Sequence, residues 1–256
     1  MEKLTKEDVR GPDEFIKTSS RLFHFIEKHL ASVGIALGVF ILVGLGYSAY
    51  EMWSRRQSAK AATAFFEVKK AREKIFSSFQ EQAEEKRKKA EAKKDQKAIE
   101  DLAKAKPDFS PELVNAYKGF LEKFKGTPSG VMAAIELSGY LGEYEKHNEA
   151  KDALKMVPES AVRKGLLAGL FHVQAGRVEA DLGQCQEAIS HWQKPLGDSE
   201  QKPLHADLLL RMAVCYENLK DKDKALTTYD RVIREHAQTR AAETAKIYKR
   251  LLERAS

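Results

Sequence analysis

Cysteine, proline and glycine are all scarce: this chain of 256 residues has 2, 7 and 15 of them. Two cysteines, Cys185 and Cys215, are too few for a disulfide scaffold and too far apart for a CxxC zinc or redox pair. With one at a turn and the other on a helix flank, they read as free thiols, a bridge between them being the alternative. So little turn material excludes a many-stranded β fold, and the abundance of Ala, Leu, Glu and Lys points to an all-α chain. Recognisable catalytic geometry is also missing. The 7 histidines are scattered, and neither His24 with His29 nor His172 with His191 gives HxxxH or HExxH spacing. There is no GxSxG, GxGxxG or P-loop. No catalytic residue, metal ligand, cofactor or small-molecule substrate is therefore expected. Nor is the charge one-sided: 44 basic against 38 acidic side chains leave +6. That excess is dispersed over residues 51–256 rather than clustered with aromatics, which argues against nucleic acid.

Long apolar runs are absent except for one. Mean hydropathy is −0.50 although 43% of residues are hydrophobic, because the segment Leu30–Tyr50 holds 21 residues without a charge. As a helix it is about 31 Å long, enough to cross a bilayer. Its length, its long amphipathic approach and bulky Tyr47 near any cut after Ala49 disfavour a cleaved signal peptide. Lys and Arg flank the span almost equally, so orientation rests on a short inside tail and a large translocated C-terminal domain. Gly34 with Gly38, and Gly44 with Ser48, form small-xxx-small pairs that would let another transmembrane helix approach closely. Upstream, Phe15, Ile16, Leu22, Phe23, Phe25 and Ile26 alternate with Lys17, Arg21, His24 and Lys28. Such a helix either lies in the headgroup layer or extends the anchor.

Beyond the span, 57–79 has apolar residues at helical spacing and needs a partner. From Glu81 to Lys106 charge dominates, and pairs such as Glu84 with Lys88, Glu85 with Lys89 and Glu100 with Lys104 support a solvated helix, with a disordered linker as its rival. The expected organisation is therefore a tail (1–29), a span (30–50), a long helical segment with a charged insert (51–106) and a repeat domain (107–256).

Period governs the last of these. Turn anchors Tyr144, Leu182 and Leu219 are each followed six residues later by alanine: Ala150, Ala188 and Ala225. Four residues beyond come Leu154, Trp192 and Tyr229, and upstream lie the small residues Ser138, Gly176 and Ala213. This resembles the tetratricopeptide pattern, best seen in Ala206–Thr239. An earlier half-copy runs from Ala116 through Phe120 to Pro128, its first helix supplied by 57–79. Arg240–Arg254 reads as a capping helix. Each helical pair exposes an apolar face that only the next can cover, and the concave surface of such a solenoid binds polypeptides. Counted from Val131, Gly169 and Ala206, the groove positions are Met132, Ile135, Gly139, Gly142 and Glu143; then Leu170, Val173, Arg177, Ala180 and Asp181; then Asp207, Leu210, Val214, Glu217 and Asn218. Leu210 and Val214 stand where carboxylate-clamp repeats need lysine and asparagine, so no clamp is expected. The apolar floor suits an amphipathic or unfolded segment, packing against a neighbouring helix being the plainer alternative.

Together, the FIEKHLASVGIALGVFILVGLGY approach and span, the QSAKAATAFFEV helix and the LFHVQAGRVEADLGQCQEAI repeat resemble the YfgM-like ancillary subunits of the bacterial SecYEG translocon. The charged insert 81–106 departs from that pattern. The resemblance implies a single-pass inner-membrane protein with a cytoplasmic N-terminus and a periplasmic repeat domain. It further implies association with translocon subunits through the anchor, and handover of exported clients to periplasmic chaperones. A scaffold subunit of another envelope complex is the alternative.

Overall fold

The computed structural model describes residues 23–24 and 27–254, so Phe15 to Arg21, Leu22, Phe25 and Ile26 of the amphipathic approach lie outside the described residues. It is all-α, with no strand among the described residues. The chain divides into two compact units, 1–56 and 57–256. In the first, helix α1 (Leu30–Ala92) begins with the apolar segment and is long and apolar enough there to cross a membrane. Ile35, Leu37, Phe40 and Leu42 are each at least 60% exposed, so the apolar surface runs round the helix rather than along one stripe. That is the expected surface of a helix solvated by lipid. Tyr47, Tyr50 and Trp53, the ring types that favour the headgroup level, are all exposed at the end of this segment.

In the second unit α1 runs into the charged insert as far as Ala92, and the chain turns at 93–95. Glu84–Lys88 at 2.9 Å and Arg87–Glu91 at 2.9 Å sit at the helical i,i+4 spacing and support the helix, while Glu100 and Lys104 form no ion pair among the described residues. Asp95 then caps α2 (Gln96–Lys104) by accepting from the Ala98 N–H. Buried Ala61, Phe65 and Val68 of α1 pack on α3 (Pro111–Phe124), with Phe65 against the rings of Tyr117 and Phe120. The expected partnership of 57–79 with the first half-copy is thus formed. Pro128 does not end that repeat but stands at the first turn of the next helix, where no N–H is needed.

Three further pairs follow: α4 (Pro128–Glu143) with α5 (His147–Lys155), α6 (Gly165–Asp181) with α7 (Cys185–Leu196), and α8 (Lys202–Asn218) with α9 (Lys222–Glu235). Helix α10 (Arg240–Arg254) closes on α8 and α9. The anchor alanines Ala150, Ala188 and Ala225 are all fully buried, and Leu154, Trp192 and Tyr229 fill the space beside them. Gly176 shows why a small residue is needed: a Cβ there would lie 2.2 Å from Nε1 of Trp192. The indole instead donates to the Val173 carbonyl at 3.1 Å.

Each of these pairs turns by the same device. Lys146, Gln184 and Asp221 donate backbone N–H groups to the carbonyls of Leu141, Glu179 and Tyr216, closing a Schellman motif around one left-handed residue. That residue is Gly183 in one pair but Glu145 (φ 60) and Lys220 (φ 62) in the others. A side chain in this region costs about 1 kcal/mol that glycine avoids. Lys220→Gly is therefore expected to stabilise the domain by about 0.5 kcal/mol once glycine's unfolded-state entropy is subtracted, readable as a raised urea midpoint at constant m-value.

The structure corrects the reading of the cysteines as free thiols. Cys185 and Cys215 form a disulfide between the start of α7 and the C-terminal half of α8, with Cα atoms 5.2 Å apart. Helix α8 lies against α7 so that both side chains enter one apolar cluster with Ala188, Trp192 and Met212.

Candidate protein-binding surface

The candidate groove residues lie on α4, α6 and α8, the first helices of successive pairs. Met132, Ile135, Leu170, Val173, Leu210 and Val214 are all half-buried. They are neither sealed in the core nor standing free. Met132 and Ile135 lean on the first apolar cluster, Val173 on the second, and Leu210 and Val214 on the third. Helix α4 packs directly on α6, where a Cβ at Gly139 would touch the Gln174 amide, whereas α6 meets α8 chiefly through α7 and the 3-10 turn Ser199–Gln201. Of the helices that carry these candidate positions, α4 and α6 are thus the most closely packed.

The polar edge is already partly engaged. Asp181 faces Arg177 at 3.9 Å and His147 at 3.8 Å. Asp207 pairs with Arg211 at 2.7 Å. Glu217 accepts the Tyr229 hydroxyl across the helices of its own pair, and burial beside that carboxylate pushes the phenol's ionisation well above its usual range. Asn218 donates to Sγ of Cys185 at 3.8 Å. Arg177, Asp181, Asp207 and Asn218 remain exposed, while Glu217 serves its own repeat. Along the apolar span Gly34, Gly38 and Gly44 face open space in the single chain, and Ser48 is exposed.

Sequence reasoning missed a second feature. Between α5, α6 and α7 the core opens into a cleft of about 210 Å³, floored by Leu154, Val157, Val162 and Phe171 and walled by His172, His191, Lys151, Glu179 and Lys194. Lys151 reaches Glu179 at 2.9 Å and Gln184 at 2.7 Å. His172 and His191 stand Nδ1 to Nδ1 at 3.2 Å, a geometry that needs one ring to donate and the other to accept, so both cannot be imidazolium. Their spacing of 19 residues carries no metal or catalytic signature. Only the offset between touching helices, as in the bond from Tyr117 to Glu136 with the same separation, could have paired them.

Burial, and then the nearby Lys194 charge, holds His172 down to about 4 and lowers His191 in the same direction. The unfolded chain binds the proton more readily, so stability is full above about pH 6.5 and is lost as pH falls toward 4. His172 alone is expected to remove about 2 kcal/mol between pH 7 and pH 5. Urea titrations across that range test this, with the loss shrinking in His172→Gln.

A family model agrees with one of these helical pairs. The tetratricopeptide repeat family model matches residues 207–239, the copy legible as Ala206–Thr239. A solved structure described as "Crystal structure of MamA protein" is similar, at 16% identity and a TM-score of 0.41, over 70% of this chain and 88% of that one. No curated protein matches the chain. Residues 207–239 are thus a tetratricopeptide repeat within an all-helical array of pairs, a kind of scaffold suited to binding other proteins.

Proposed function

We propose that this protein is a membrane-anchored adaptor that holds extended or amphipathic segments of other polypeptides on its repeats. The observation that carries the reading is the row of half-buried apolar residues on α4, α6 and α8. Such a row receives apolar side chains while leaving a bound backbone wet. In the proposed layout residues 1–29 are a cytoplasmic tail, 30–50 the span, 51–106 a helical spacer and 107–256 the binding domain. The resemblance to translocon-associated subunits gives the clients a source: chains emerging from the Sec channel of the inner membrane and passing on to periplasmic chaperones. The buried disulfide supports an exported domain, since such bonds persist in oxidising compartments and are rare in the cytosol. The glycine and serine pairs of the span are the proposed contact with a translocon helix.

The test is capture of a fluorescent, permanently unfolded polypeptide by the full chain in detergent. Leu170→Asp with Leu210→Asp is expected to weaken capture at least tenfold while the helical melt stays within a few degrees. Unchanged capture in the folded variant removes the groove from the account, and collapse of the melt makes these positions core.

A further inference from the structure

None of the groove residues lines the cleft between α5, α6 and α7, and the adaptor reading makes no use of it. Its floor residues Leu154, Val157, Val162 and Phe171 are all buried. A volume of about 210 Å³ lies below the roughly 300 Å³ at which pockets for drug-sized molecules begin, so the cleft takes a small molecule rather than a peptide segment. Three lysines and two glutamates line it, and most of that charge is spent inside the protein. Lys151 pairs with Glu179 at 2.9 Å, and Lys155 with Asp152 of its own helix at 3.2 Å. Lys194 of α7 and Glu159 of the 3-10 turn Glu159–Val162 are left, both exposed and neither in an ion pair among the described residues. Both also line a second opening of about 340 Å³ that shares Val162 and His172 with the first, so they stand where the two meet. The further charges of that opening, Arg163 and Asp198, do not line the cleft.

The histidine pair adds an acceptor. The Val162 carbonyl accepts from His172, so the Nδ1 that faces His191 is bare and His191 donates to it across 3.2 Å. Nε2 of His191 then keeps a free lone pair, for which no donor stands among the described residues. The cleft thus offers a buried apolar floor, two acceptors in Glu159 and His191, and one cationic donor in Lys194. We propose that it binds a free α-amino acid with an apolar side chain of leucine or phenylalanine size. The side chain lies on Leu154, Val162 and Phe171. The ammonium donates to the Glu159 carboxylate and to Nε2 of His191, and the carboxylate accepts from Lys194. A ligand with only an anionic or only a cationic group leaves one of those charges unmatched. This site is separate from the polypeptide groove and does not depend on it.

The experiment is isothermal titration calorimetry on the full chain in detergent at pH 7.5. Leucine and phenylalanine should each bind saturably at one site per chain. Three analogues of leucine take away one feature at a time: 4-methylpentanoate lacks the ammonium, 3-methylbutylamine lacks the carboxylate, and glycine lacks the apolar side chain. Each should bind at least tenfold more weakly than leucine. Glu159→Gln and Lys194→Gln should each weaken leucine at least fivefold, and because both side chains are exposed, both variants should keep the wild-type melt. The proposal is overturned if neither amino acid binds saturably, or if an analogue with one charge binds as tightly as leucine. It is equally overturned if either variant keeps the wild-type affinity, or loses the melt and so shows its side chain to be structural.

Discussion

Ala225→Glu is expected to cost about 3 kcal/mol or more and to unfold α8, α9 and α10 together. Ala225 is fully exposed nowhere: it sits at 0% accessibility among Leu209, Ala213, Tyr229 and Ala245, on the helix side where α9 meets both α8 and α10. A carboxylate there finds no cationic partner in the cluster and leaves a buried charge uncompensated. Protonation would relieve the charge but not the added volume. The control is Thr227→Glu, which adds the same group to the exposed side of the same helix, four residues before Arg231. It should stay within about 0.5 kcal/mol of wild type. Circular dichroism melts of the two variants should therefore separate widely, and coincident melts would refute the repeat register from which every groove position is counted.

Breaking the disulfide should have an effect of similar size. It closes a loop spanning 30 residues of separation, and loop-closure entropy for that length corresponds to about 3–4 kcal/mol. Cys185→Ser with Cys215→Ser is expected to lose that much, less whatever structure the reduced unfolded chain retains. The loss should fall on α7 and α8, whose cluster contains both sulfurs. In cells, acid-quenched samples treated with a thiol-reactive mass tag should show no shift without reductant and a two-tag shift after reduction. Two free thiols in the untreated sample would place the domain in a reducing compartment and reverse the proposed orientation.

Much of the fold was legible because a repeat states its contacts several times over. Alanine at 150, 188 and 225, a large residue four positions on and a small residue upstream name the touching points of each pair before any coordinates exist. The uncharged span was equally plain, since length and charge alone decide whether a helix can cross a bilayer. What sequence could not supply were contacts between pairs. Cys185 and Cys215 became partners only through the packing of α7 on α8. The histidine pair arose the same way, from facing positions on α6 and α7 that carry no spacing motif. Glu217 read as a groove edge because its helix position allowed it, yet the Tyr229 hydroxyl engages it from the next helix. The 3-10 turn Ser199–Gln201, which touches both α6 and α8, was likewise announced by no periodicity.

The adaptor reading is tested most directly by photocrosslinking in living cells. A benzophenone amino acid is placed at Leu170 or Leu210 in the groove, or at exposed Gln186 on α7 as a control, while an exported reporter is held part-way through the Sec channel. The account predicts adducts with the reporter from Leu170 and Leu210 and none from Gln186. No adduct from either groove position, or equal adducts from all three, would contradict it.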